Sequence, residues 1–81
     1  MITILLFGRL SEAAGWRRTE LAPAPASLSE LRRRIGETWP ELTEALAGTG
    51  VRVAVDHTFC TGDRPLLAGS EVAFMPPMSG G

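Results

Sequence analysis

Eighty-one residues, 44% of them hydrophobic, suffice for one small domain with a packed core and are too few for two. A formal net charge of −1 leaves no electrostatic footprint for nucleic acid, and no apolar run approaches the roughly 20 residues of a membrane-spanning helix. One cysteine allows no internal disulfide and Met1-Ile2-Thr3 carries no basic leader segment, so a cytoplasmic location is expected.

Along the chain, Ile2 to Phe7 alternates Ile2, Ile4 and Leu6 with Thr3, Leu5 and Phe7. Both sets are mostly apolar, which predicts a central strand covered on part of each face. Gly8 to Gly15 is short, helix-permissive and closed by glycine, so one or two helical turns are expected. Arg17 to Ala22 reads as a weak polar edge strand, and Pro23-Ala24-Pro25-Ala26 as a loop. Ser27 and Glu30 have the spacing of a capping box, and Leu28, Leu31, Ile35 and Trp39 follow on one helical face. Arg32-Arg33-Arg34 points in three directions around that helix and reads as a solvated surface, with no interleaved aromatics to stack on bases.

Pro40 restarts a short helix, Glu41 to Ala47, closed by Gly48 and Gly50. Val51, Val53 and Val55 predict a strand with Arg52 and Ala54 facing away, Asp56-His57 a turn, and Thr58 to Thr61 a short β segment. After the Gly62-Asp63-Arg64-Pro65 turn, Leu66 to Gly69 leads into a last strand, Glu71 to Met75, with Val72 and Phe74 on one face. The order ββ-α-β-β, with short extras, predicts an α+β fold of the β-grasp type: a mixed sheet of four or five strands on one main helix. A right-handed crossover sets the last strand parallel to the first in the sheet centre.

The end of the chain carries the chemistry. Pro76 and Pro77 donate no N–H and favour an extended exit, while Gly80 and Gly81 leave the terminal carboxylate on a thread without side chains. We read residues 1–76 as the folded domain and residues 77–81 as a flexible reactive tail reaching roughly 17 Å at about 3.3 Å per residue. A carboxylate is a poor electrophile until ATP converts it to an acyl-adenylate, which a sulfur donor or an amine can then attack. All eight basic residues are arginines, so the chain has no lysine on which to build polymers of itself. Genomic base composition accounts for that bias equally well, since arginine and lysine are often interchangeable on surfaces that make no bidentate contact.

Several stretches resemble one family: MITILLFG at residues 1–8, EAAG at 12–15, LSEL at 28–31, VAVD at 53–56 and EVAFMPPMSGG at 71–81. Together they are similar to the small subunit of molybdopterin synthase, the MoaD family of ubiquitin-like proteins, over essentially the whole chain. The resemblance implies a sulfur carrier that is not an enzyme on its own, with catalytic side chains on the large subunit. A MoeB-like enzyme would use ATP to adenylate Gly81, and a sulfur donor would replace AMP to leave a thiocarboxylate. The tail of Pro76, Pro77, Met78, Ser79, Gly80 and Gly81 would then enter the large, MoaE-like subunit and deliver sulfur to precursor Z, in a heterotetramer with two large subunits. No bound cofactor and no metal are implied. Where the family commonly has Asn, a Gly-Asp-Glu run and Val, this chain has Asp56, Gly69-Ser70-Glu71 and Met78.

Three other functions fit the same residues. One is sulfur carriage for thiamin or tRNA thiolation, although thiamin carriers are typically shorter and lack the Pro-Pro pair. Another is a ubiquitin-like modifier conjugated to amines through Gly81, and the third an interaction domain with an idle tail. A carrier also needs a docking surface. Leu5, Phe7, Phe59 and Met75 fall on the strand faces away from the helix, and such an apolar patch marks either an interface or a second minor core; the resemblance implies the interface. Cys60 has no second cysteine and no neighbouring cation to activate it, and His57 has no partners at metal-ligand spacing.

Overall fold

The computed structural model describes residues 1–77, and its first and last strands lie side by side in the middle of one sheet. The elements run β1 (Ile2–Leu6), α1 (Arg9–Ala14), β2 (Arg18–Leu21), α2 (Leu28–Thr38), α3 (Leu42–Ala47), β3 (Arg52–Val55), β4 (Thr58–Cys60) and β5 (Glu71–Met75). The sheet order is β2-β1-β5-β3-β4, with β1 and β5 parallel and every other neighbouring pair antiparallel. This is the expected β-grasp arrangement, with five strands. The expected flexible tail falls on Met78, Ser79, Gly80 and Gly81, outside the described residues, and on Pro77, which is half-buried.

The alternation written in β1 and β5 decides the core. Ile2, Ile4, Leu6, Val72 and Phe74 point to the helical side and are at most 2% exposed. They meet Leu28, Leu31 and Ile35 of α2 and Leu42 and Leu46 of α3 in one cluster, which Leu66 joins from the loop before β5. Trp39, expected as the fourth position on the α2 face, instead ends that helix and is half-buried. Its ring packs against the core and beside Trp16, with centroids 5.0 Å apart.

The start of α2 has its free N–H groups satisfied from two directions. The Ser27 hydroxyl accepts from the Glu30 N–H at 3.2 Å, as the capping-box spacing predicts. The Glu30 carboxylate does not reach back to complete the box; it pairs with Arg33, which also pairs with Glu37. The remaining donors are met by the 63–64 turn: Leu28 N–H donates to the Arg64 carbonyl and Ser29 N–H to Asp63 Oδ1, each at 2.8 Å. Arg33 is the solvated arginine expected, whereas Arg34 donates to the Ala22 and Pro23 carbonyls and Arg32 lies over the Phe74 ring, 5.3 Å from its centroid.

Boundaries shift at four strands. β1 stops at Leu6, β2 loses Arg17 and Ala22, Val51 precedes β3 as a half-buried residue packed on the core, and β4 stops at Cys60, short of Thr61. The short helix begins at Leu42 rather than Glu41. No helix among the described residues is long and apolar enough to cross a membrane.

Candidate functional site

The face of the sheet opposite the helices carries the predicted docking residues, and the strand register shows how they line up. Arg18, Leu5, Ala73, Ala54 and Phe59 are successive partners across all five strands. On one side of this row Met75 pairs with Arg52, and Phe7 continues the Leu5 side of β1 just past its end. On the other side Thr3 lies between Glu20 and Glu71. The face is therefore graded: carboxylates at the end where β5 begins, then a shallow apolar band with Arg18 at its β2 edge, then Arg52 and apolar side chains where β5 ends.

Phe59 and Phe7 are 51% and 44% exposed, a large apolar area to leave in water, while Leu5 and Met75 are half-buried. The structure thus brings Leu5, Phe7, Phe59 and Met75 onto one face. The two alanines between them, Ala54 and Ala73, make the band shallow, with a larger side chain on each side. Ala54 does face away from the core, as its position predicted, yet it is buried because Ala73 and Phe59 flank it in register. Alternation places Arg52, Ala54 and Ala73 on this face but does not single them out as part of the band; strand register is the signal that lines them up with Leu5 and Phe59, and register depends on pairing rather than on local pattern.

The Arg52 guanidinium stacks over the Phe59 ring, 4.0 Å from its centroid, and holds that ring at the margin of the band. Beside it a cleft of about 410 Å³ runs past Arg32, Val53, Cys60 and Gly62. Cys60 is half-buried, on the core side of β4 opposite Val53, and takes no part in the open face. His57 pairs with Glu71 at 2.8 Å at the far end of the sheet from the tail. No group of three or more His, Cys, Asp or Glu side chains able to hold a metal occurs among the described residues.

Tail and face share one strand. Met75 ends β5, held by β1 on one side and β3 on the other, and Pro76 and Pro77 follow it half-buried. Met78, Ser79, Gly80 and Gly81 lie outside the described residues. The described part thus offers an open sheet face with exposed aromatic side chains and, at Met75, the end of a strand held on both sides.

A family model described as the ThiS family matches residues 4–81, a span that includes Gly81. The molybdopterin synthase sulfur carrier subunit of Escherichia coli (strain K12) is 35% identical over 81 residues, all of both chains. Among solved structures, SAMP1 of Haloferax volcanii superposes with a TM-score of 0.86 at 24% identity, covering 99% of this chain and 98% of that one. A Helicobacter pylori 26695 complex of subunits 1 and 2 of molybdopterin-converting factor contains a chain similar at TM-score 0.72 and 25% identity, covering 99% and 97%.

Proposed function

Because this chain belongs to the ThiS family, we propose that it is a sulfur carrier that bears sulfur as a thiocarboxylate on Gly81 and donates it to precursor Z in making molybdopterin. The observation that carries this reading is the full-length likeness to a molybdopterin synthase sulfur carrier subunit, which covers all of both chains. The graded open face beside the tail root supports it, since a carrier must be held by other proteins while its terminus reacts.

The chemistry follows from the carboxylate. One oxygen of Gly81 attacks the α-phosphorus of ATP on an adenylating enzyme of the MoeB type, and pyrophosphate leaves. A hydrosulfide-level nucleophile then adds to the acyl carbon and AMP leaves, giving the thiocarboxylate. This chain contributes presentation: a core-anchored strand, a proline root and glycines narrow enough for a confined site. It is not the catalyst. We assign the catalytic groups to a large, MoaE-like subunit, a partner supported by the Helicobacter pylori complex of subunits 1 and 2. Two small and two large subunits form the working assembly in this reading, ATP is used by the adenylating partner, and the setting is cytoplasmic.

The fold likeness to SAMP1 favours one alternative, transfer of the activated Gly81 to an amine. The two readings differ in product. Thiocarboxylated chain incubated with the large subunit and precursor Z is expected to yield the dithiolene of molybdopterin and return Gly81 as a carboxylate. Amide-linked adducts of Gly81 on lysines, with no dithiolene, would contradict the proposal.

A further inference from the structure

We propose that Gly8 and Gly50 are positioning residues that seat Pro76 and Pro77 and so set where the C-terminal tail begins and which way it leaves the body. The inference rests on the reading of Gly81 as the reacting carboxylate. It starts from the ladder. β5 is hydrogen-bonded to β1 and β3 as far as Met75, and Phe7 N–H still donates to the Phe74 carbonyl at 3.1 Å. Beyond Met75 two prolines have no N–H to offer, so neither can donate a hydrogen bond that continues the ladder.

Register places a glycine beside each proline. Leu6 pairs with Phe74, so two residues on, Gly8 stands level with Pro76; Arg52 pairs with Met75 in the antiparallel sense, so Gly50 stands level with Pro77. The contacts agree. A Cβ added to Gly8 would lie 3.0 Å from Pro76 Cγ, and one added to Gly50 would lie 2.7 Å from Pro77 Cβ. The second distance is one that real Cβ atoms essentially never show, and the atom met is fixed to the proline backbone, so the tail root would have to shift. Both glycines also have positive φ, +56° and +85°, where other residues are strained. Two loops that come from opposite sides of β5 therefore grip its extension by close packing where the ladder ends.

The alternative is that these glycines serve only their own turns. Gly15 separates the two, because its φ of +83° matches that of Gly50 but nothing lies within 4 Å of its added Cβ. Gly15→Ala thus imposes the same backbone strain without touching the tail. The first experiment is nuclear Overhauser spectroscopy on the full chain, where contacts between Gly50 Hα and the Pro77 ring, and between Gly8 Hα and the Pro76 ring, are expected; their absence overturns the grip. The second measures loading of Gly81 by an adenylating enzyme and a sulfur source, for variants whose spectra show a folded body. Gly50→Ala and Pro77→Gly are expected to lower kcat about ten- to a hundredfold with KM nearly unchanged, and Gly15→Ala by less than about twofold, since small misplacements of a reacting group are that costly. Equal losses in Gly50→Ala and Gly15→Ala would reduce Gly50 to a turn residue. A wild-type Gly81 that takes up neither AMP nor sulfur would sink the carrier reading and the positioning role with it, while the Overhauser contacts still decide whether the grip exists.

Discussion

Asp56 and Glu71 are tied in both directions: the Asp56 carboxylate accepts the Glu71 N–H at 2.9 Å, and the Asp56 N–H donates to the Glu71 carbonyl at 2.8 Å. The two-residue turn Asp56-His57, with φ of 50° and 70°, is thereby stapled to the start of the strand that carries the tail. Positive φ at both central residues is the pattern of the type I′ hairpin turn, in which Asn and Asp are favoured. Asp56→Ala removes the acceptor and places alanine where it is strained, so urea unfolding should show a loss of about 1–2 kcal/mol. Asp56→Asn keeps the acceptor and the favoured backbone, and should stay near wild type.

Acid should weaken the molecule partly through Asp63. The Ser29 N–H, then the Ser29 hydroxyl, then the Arg64 N–H hold its carboxyl below the ordinary carboxylate range. A group whose folded pKa is depressed adds stability above its unfolded value of about 3.9 and loses it as pH falls through the folded pKa. The thermal midpoint should therefore drop as pH falls below about 4. Asp63→Asn keeps one oxygen to accept the Ser29 N–H, turns the other position into an amide donor toward the Ser29 hydroxyl, and cannot titrate, so its midpoint should fall less over the same range. The Glu30 carboxyl, lowered first by its hydrogen bond from Arg33, contributes in the same direction and will leave a residual slope.

Asp63 also marks a limit of what the sequence made legible. The core was readable because it is periodic: Ile2, Ile4 and Leu6, Leu28, Leu31 and Ile35, and Val72 and Phe74 each repeat at the spacing of their own element, and all are buried. The Ser27 cap was readable because its acceptor and donor are three residues apart. Asp63 caps the same helix from 34 residues away, a distance at which no local pattern survives. Trp39 had the right spacing for the α2 face and does pack against the core, but the helix ends there and its ring, tilted against Trp16, stays half-buried. At the open face, alternation put Leu5, Phe7, Ala54, Ala73 and Met75 on one side, whereas the order in which they line up with Phe59 needed the register of four strands.

The two phenylalanines of the sheet should separate stability from recognition. Phe74 is fully buried among the core residues, so Phe74→Ala should cost about 3–5 kcal/mol and leave little folded protein in a domain of this size. Phe59 lies half in water on the open face, and Phe59→Ala should change stability by no more than about 1 kcal/mol. Its effect belongs to binding: a titration with the large subunit should lose about 2 kcal/mol or more of affinity, as for an aromatic anchor in a docking face. Equal affinity in wild type and Phe59→Ala would remove the open face from the account.

A chain without lysine limits what its own activated end can reach. If the chain is activated without a sulfur source, no branched ladder of side-chain amides should form between copies, since none of its 81 residues is a lysine. Side-chain amide links between copies of the chain would contradict this.

The most direct test is the mass of the intact chain after incubation with ATP, an adenylating enzyme and a sulfur source, followed by fragmentation of its C-terminus. Exchange of oxygen for sulfur is nominally isobaric with oxidation of one of the three methionines, so the shift has to be localised. The account predicts sulfur on Gly81, lost when that residue is deleted. An unmodified Gly81 in the presence of a competent adenylating enzyme would contradict it.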